Sequence, residues 1–145
     1  MTEKDLYKFR SAKREEERAR FKLMEFEAQF GAPRSAIGSP TPPNHGADPT
    51  VRIVADVERH NVLIQKVESA VREVSVAEVR LEAARGHLYR DTDIKVFDAL
   101  YFGWMEGKRL VFPTIVQVSR RLAYSTSAVY NARKRILDIL SPISA

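Results

Sequence analysis

The sequence contains no cysteine, and this absence excludes disulfide bonds, iron–sulfur clusters and thiolate zinc sites. No apolar run approaches the roughly 20 residues of a transmembrane helix, and the N-terminal residues lack the apolar segment of a secretory signal. The three histidines, His45, His60 and His87, stand apart and do not form a metal-binding pattern. We therefore expect a soluble, intracellular protein without a metal ion or other cofactor and without a membrane partner.

Recognisable catalytic motifs are also missing. Serine and histidine are present, but they do not form a set of nucleophile, base and orienting residue. The sequence has no phosphate-binding glycine loop either. An enzyme is therefore the class that the sequence favours least, and we predict a non-enzyme.

Proline and glycine are scarce except in one stretch, residues 31–50. Five of the seven prolines and three of the six glycines fall within it, together with few bulky apolar residues. This composition predicts a flexible or extended linker that marks a boundary within the chain. We accordingly predict a charged N-terminal helix over 1–30, the linker over 31–50, a long helix over 51–90 and a C-terminal domain over 91–145.

Both segments that flank this linker have helical patterns. Residues 3–30 contain opposite-sign pairs four residues apart, such as Glu16–Arg20, and each pair contributes only about 0.2–0.5 kcal/mol. Apolar spacing in the second segment alternates between four and three residues, as in a coiled-coil seam. This seam runs through Ile53, Val57, His60, Ile64, Val67, Val71, Val74, Glu78, Leu81, Arg85 and Leu88. Such a helix needs a partner, which could be residues 3–30, the C-terminal domain or another subunit; we favour self-association through 51–88, as a dimer.

The C-terminal domain is predicted to contain three helices. The first, about 92–105, carries a stripe that is most consistent with a protein core and consists of Ile94, Phe97, Leu100, Tyr101 and Trp104. Residues 107–109 would form a connecting loop, and Pro113 would lie in the first turn of the next helix. The predicted fold class is all-α, with an N-terminal helix and a coiled-coil-like helix joined by the linker, followed by this three-helix domain.

Residues 114–140 predict two short helices joined by a tight turn. Apolar residues at Ile115, Val118 and Leu122 mark the inner side of the first helix, and Ser125 is a good N-cap for the second. The inward positions of the second helix are Val129, Ala132, Ile136, Ile139 and Leu140, and its opposite face presents Ser127, Tyr130, Asn131 and Lys134. A DNA-binding helix-turn-helix has this layout, because its second helix docks on the first and offers polar side chains to a groove.

The positive charge of the chain lies in the same region. From Lys108 onward there are seven basic residues and one acidic residue, whereas residues 1–107 contain 17 basic and 18 acidic residues. Solubility alone would not require this segregation, so a polyanionic partner explains it better than an incidental solvated face does. Double-stranded DNA is therefore the partner that we predict.

The helix-turn-helix region resembles region 4 of bacterial sigma factors, and DIKVFDALYFGWMEGK is similar to the helix that precedes it in that family. The residues that carry the resemblance are Thr114, Ile115, Val118, Leu122, Ser125, Val129, Arg135, Leu137 and Leu140. The whole architecture resembles phage late-gene transcription regulators of the ArpU/RinA type. This resemblance is specific over 93–140 and architectural over 1–88. It implies a phage-encoded, sequence-specific DNA-binding transcription regulator in the cytoplasm of a bacterial host, with RNA polymerase as a further candidate partner.

The implied recognition helix, residues 126–140, would enter the major groove. Base contacts are assigned to Thr126, Ser127, Tyr130 and Asn131, of which Asn131 can pair bidentately with adenine. Phosphate contacts, which fix the register on the duplex, are assigned to Lys108, Arg109, Arg120, Arg121, Arg133, Lys134 and Arg135. No residue is assigned a catalytic, cofactor-binding or metal-binding role.

Two positions depart from the sigma-factor pattern. Ala123 stands where glycine is usual, and a left-handed alanine costs roughly 1–2 kcal/mol, so either the turn is wider or the domain is less stable. The outward stripe also lacks the arginine and glutamate that sigma factors often place early in this helix. Their −35-type specificity is therefore not expected here.

Two other functions stay open at this point. The first is a phage DNA-packaging recognition subunit of the small-terminase kind, although such proteins usually place the DNA-binding module first. The second is a module that docks RNA polymerase or another protein without reading DNA. Ring-like stoichiometry would favour the first alternative, and failure to bind DNA at low salt would favour the second.

Overall fold

The structure, a computed structural model, describes residues 1–30 and 49–144. Most residues in this part of the chain are helical, and the remainder includes a small sheet of two strands. A mainly helical protein is therefore confirmed. The predicted linker lies, for residues 31–48, outside the described residues. No helix within the described part is long and apolar enough to span a bilayer.

The N-terminal helix begins at Glu3, as expected. In its first turn, α1 (Glu3–Leu6), the Asp5 carboxylate accepts hydrogen bonds from the Thr2 N–H at 2.9 Å and from the Thr2 hydroxyl at 3.0 Å. After a single interruption at Tyr7, α2 (Lys8–Phe30) continues to the end of the predicted range. The expected Glu16–Arg20 pair is present at 3.1 Å. The sequence therefore predicted this helix correctly apart from the break at Tyr7.

The long helix α3 runs from Pro49 to Arg85, so its predicted extension to residue 88 or 90 was wrong. The chain leaves the helix through a turn at Gly86 and His87, and Leu88 is buried after that turn. Burial along the predicted seam is uneven. Its C-terminal half contains buried residues such as Val74 and Leu81, whereas Ile53 and Val57 near the beginning are 62% and 52% exposed.

The chain divides into two compact units. The C-terminal unit combines Met1–Lys13 with Val74–Ala145, and the helical unit is Arg14–Glu73. Within the helical unit, the Phe26 ring stacks on the His60 imidazole with centroids 5.7 Å apart, and Glu27 Oε1 lies 3.0 Å from His60 Nε2. The long helix α3 thus contacts the N-terminal helix of the same chain, which is one of the three arrangements expected for its apolar seam. The four predicted domains and the self-association stay predictions.

In the C-terminal unit, the aromatic helix differs from the prediction. It starts as α4 (Asp91–Phe97), continues as a π-helical segment (Asp98–Phe102) and ends there, so the predicted range 92–105 was too long and Trp104 is not helical. Gly103 explains the end, because its φ of 74° leaves the helix and a β-carbon there would lie 2.5 Å from the Val111 carbonyl oxygen. Only glycine allows the chain to turn at this point.

A β-hairpin replaces the loop that was predicted at residues 107–109. Strand β1 (Trp104–Glu106) pairs antiparallel with β2 (Arg109–Val111), and Trp104 lies opposite Val111. Gly107 has a φ of 63° and Lys108 does not have a positive φ, which defines a two-residue turn of type II′. Strands of three residues are too short to show the alternation from which a strand is predicted.

The last two helices, α5 (Ile115–Leu122) and α6 (Thr126–Leu140), agree with the sequence prediction. Thr114 caps α5 and forms a capping box with Gln117, so Pro113 precedes the cap and does not lie in the first turn as predicted. Ser125 caps α6 as expected, because its Oγ accepts the Ala128 N–H at 3.1 Å. Val118, Val129, Ala132, Ile136 and Leu140 are all fully buried. These residues form the core with Val96, Phe97 and Tyr101.

Candidate nucleic-acid interface

The turn between α5 and α6 is tight, although it contains alanine in place of glycine. Ala123 adopts a left-handed conformation with φ 57° and ψ 33°. The Tyr124 N–H donates to the Ser119 carbonyl at 3.2 Å, which is the characteristic bond of a Schellman C-cap, and the Ser119 hydroxyl donates to the Tyr124 carbonyl at 2.6 Å. The sequence left two possibilities for Ala123, a wider turn or a less stable domain. The tight turn excludes the first, and the left-handed conformation of the alanine means that the backbone is strained.

Replacing Ala123 by glycine should stabilise the protein. The left-handed conformation costs alanine about 1–2 kcal/mol, whereas glycine costs about 0.5–1 kcal/mol in conformational entropy. We expect a net gain of about 0.5–1 kcal/mol, measured as a higher urea midpoint at an unchanged slope. The matched control is Ala128→Gly inside α6, which should destabilise by about 1 kcal/mol. Equal destabilisation by both variants would contradict the strain at Ala123.

The outer face of α6 is polar and accessible. The structure exposes all four residues to which base contacts were assigned: Thr126, Ser127, Tyr130 and Asn131. They occupy the first two turns of the helix. Ser127, Tyr130 and Asn131 lie on the side opposite the buried Val129 and Ala132, and Thr126 lies at the margin of that face. The Asn131 side chain has no hydrogen-bond partner among the described residues, so its amide group is available to a ligand. The helix thus has one face in the core and one face open to a partner.

Five of the seven predicted phosphate-contacting residues are exposed: Lys108, Arg109, Arg120, Arg121 and Lys134. Lys108 occupies the turn of the hairpin and Arg109 begins β2, while Arg120 and Arg121 lie in the last turn of α5. The Arg121 guanidinium stacks over the Trp104 ring at 4.4 Å, which connects the hairpin to α5. The other four cations have no carboxylate partner among the described residues, so their charge faces solvent.

The half-buried Arg133 is bound by Glu3 of the N-terminal helix. Its Nε and Nη2 donate to Glu3 Oε1 at 2.8 and 2.5 Å, and the Tyr7 hydroxyl donates to the same oxygen at 3.2 Å. These bonds to Glu3 raise the pKa of Arg133. The Tyr101 hydroxyl is buried nearby, and burial raises its pKa further above the usual value. Arg133 and Tyr101 therefore both keep their protons across the physiological pH range.

Arg135 is held by a second acidic residue, Asp93 of α4. Its Nε and Nη2 donate to Asp93 Oδ1 at 3.1 and 2.8 Å, and the hydrogen bonds raise the pKa of Arg135. The Asp93 side chain is only 1% exposed, whereas that of Arg135 is 37% exposed. The ion pair therefore joins the first helix of the C-terminal domain to the candidate recognition helix.

The sequence did not reveal either of these carboxylates. A usable signal existed for Asp93, because it shares helical spacing with the buried Val96, Phe97, Leu100 and Tyr101. An acidic residue on an apolar stripe predicts a buried partner of opposite charge. Glu3 gave no such signal, since its partner lies 130 residues away. Among the described residues, no group of three or more His, Asp or Glu side chains could hold a metal ion.

Comparisons with protein-family models, with curated proteins and with solved structures find no match for this chain.

Proposed function

We propose that this protein is a sequence-specific double-stranded DNA-binding transcription regulator that inserts α6 into the major groove. The observation that carries the proposal is the division of α6 into a buried apolar face and an exposed face of hydroxyl and amide groups. An exposed helix face that no other described residue covers is the part of a helix-turn-helix that contacts base edges. The tight α5–α6 turn supports the same role.

Exposed cations on the hairpin, at the end of α5 and on α6 supply the attraction to the phosphate backbone. Lys108 and Arg109 on the hairpin, Arg120 and Arg121 at the end of α5, and Lys134 on α6 are the proposed phosphate contacts. Arg133 and Arg135 already donate to Glu3 and Asp93. In this proposal, these two arginines orient α6 on the rest of the domain, and the phosphate contacts come from the other five residues.

The finer parts of the proposal come from the resemblance to sigma-factor region 4 and to ArpU/RinA-type regulators. On this basis the protein controls phage late genes, acts in the bacterial cytoplasm and contacts RNA polymerase. A homodimer that forms through residues 51–88 is also part of the proposal. Its support is the exposed apolar side chains at Val51, Ile53, Val54 and Val57, which the described chain does not cover.

Selection of bound duplexes from a random DNA pool tests this function directly. We expect the full chain to enrich one motif, and a palindromic motif with a fixed half-site spacing would support the dimer. No enrichment, with no binding to any duplex at low salt, would refute DNA recognition. In that case the protein-docking alternative would be favoured, whereas a ring-like mass in solution would favour a packaging subunit.

Lys134→Ala should weaken binding to the selected site and to random duplexes by a similar factor. Its ammonium group is expected to contact a phosphate, and phosphate contacts carry no sequence information. A plot of log affinity against log salt concentration should become less steep by about 0.9, which corresponds to one lost contact. Lys22→Ala is the matched control, since Lys22 is also an exposed helical lysine but lies in the helical unit. An unchanged salt slope for Lys134→Ala would contradict the phosphate contact.

A further inference from the structure

We propose that the first two turns of α6 select A·T base pairs and that Asn131 reads adenine. This inference rests on the proposed function and specifies its DNA target. It follows from the internal partners of Arg133 and Arg135, Glu3 and Asp93, which the structure shows. The bases that α6 can read depend on which of its side chains stay available for hydrogen bonds to base edges.

Guanine is the base that α6 is least equipped to read. Its major-groove edge presents two acceptors, N7 and O6, which arginine or lysine contacts in the commonest specific interaction. The basic residues of α6 are Arg133, Lys134 and Arg135. Both arginines direct Nε and Nη2 at a carboxylate of their own chain. The bidentate fork that would match guanine is therefore already occupied.

Lys134 does not restore guanine readout. It lies three residues after Asn131, whereas residues near the N-terminus of a recognition helix contact base edges. Its ammonium is a compact charge without the planar fork of arginine. Lys134 is therefore better placed for a phosphate, as proposed above.

Cytosine lacks a partner on this face as well. The cytosine N4 amino group is a donor, and glutamate or aspartate normally accepts from it. The acidic residue of α6 is Asp138, in the last turn and far from the N-terminal half. A G·C pair would thus meet neither an available guanidinium nor a carboxylate over the first two turns.

Adenine and thymine do have partners there. The Asn131 amide offers one donor and one acceptor, which match N7 and N6 of adenine. The exposed Thr126 carries a methyl group that can contact the thymine methyl group. The Ser127 hydroxyl can donate or accept, so it tolerates either base without selecting for G·C. The exposed face therefore favours A·T over G·C at the positions that it covers.

The test is selection from a random duplex pool with the full chain and three variants. Wild type should enrich A·T pairs at the central positions of each half-site. For wild type, changing the adenine that Asn131 contacts to guanine should weaken binding about 5- to 150-fold. Asn131→Ala should weaken binding to the selected site by a similar factor. For Asn131→Ala, the same base change should have little further effect. Asn131→Arg should enrich guanine at that position.

Asn61→Arg is the matched control, because it adds the same charge at an exposed position of α3 in the helical unit. We expect it to leave the selected base unchanged. G·C enrichment by wild type, or a motif that does not respond to either Asn131 variant, would overturn this inference while DNA recognition stands. Absence of binding to any duplex would instead refute the proposed function itself.

Discussion

Replacement of Arg135 by methionine is expected to lower the free energy of unfolding by about 3 kcal/mol. Arg135 provides the counter-charge for Asp93, whose side chain is only 1% exposed. Methionine can fill the space of the aliphatic stem, but it leaves a buried carboxylate without a positive partner. Removing one member of a buried pair costs about 3–5 kcal/mol. We expect the lower end of this range because the Arg135 side chain is 37% exposed, so water already reaches one side of the pair.

Urea unfolding of the full chain measures this loss, and Arg85→Met is the matched control. Arg85 also donates two hydrogen bonds to a carboxylate, that of Asp98, at 2.8 and 3.1 Å. The two side chains of that pair are 45% and 41% exposed, however, so both charges are solvated after the bond is lost. Arg85→Met should therefore change the free energy of unfolding only slightly.

A second variant separates charge from packing at the same site. Asp93→Asn removes the buried charge and keeps the shape of the side chain. The double variant Asp93→Asn with Arg135→Met should be more stable than Arg135→Met alone, because no unpaired carboxylate then remains. Equal stability of these two proteins would show that the loss comes from packing around Arg135 and would contradict the role assigned to the buried charge.

The ion pair between Arg135 and Asp93 also shows what could not be predicted from the sequence. Helical periodicity predicted α5 and α6, the Ser125 cap and the exposed residues at Thr126–Asn131, because each of these depends on neighbours within one or two turns. The same periodicity assigned Trp104 to a helix, since it cannot detect the conformation of Gly103 that ends that helix. Local pattern therefore predicted the exposed face of α6, whereas the β-hairpin was missed.

Helical periodicity did not predict the contacts between residues that are far apart in the sequence. Leu6 and Phe9, near the beginning of the chain, belong to the same buried cluster as Val129 and Ile136 of α6. Nothing in the pattern of residues 3–30 specifies this partner, because a charged amphipathic helix can pack on many apolar surfaces. For the same reason the arginines at 133 and 135 were assigned to phosphates: their acidic partners lie 130 and 42 residues away in the sequence.

Leu6→Ala is expected to lower the free energy of unfolding by about 2–5 kcal/mol, in the range of other leucine truncations in protein cores. Leu6 is 1% exposed, and the residues that flank it contribute to the same core. The Tyr7 ring lies 5.5 Å from that of Tyr101, and the Phe9 ring lies 5.7 Å from that of Phe102. Truncation leaves a cavity between the N-terminal helix and the C-terminal domain, and urea unfolding measures its cost.

Met24→Ala provides the comparison, because Met24 is a large apolar residue of α2 that is 59% exposed. Its truncation should change stability by no more than about 0.5 kcal/mol. If Leu6→Ala had an equally small effect, the N-terminal helix would not be part of the C-terminal core. The hydrogen bonds from Arg133 to Glu3 would then lose their support, since α1 carries both Glu3 and Leu6. A large loss for Leu6→Ala alone would instead show that the first residues of the chain help to hold the candidate recognition helix in place.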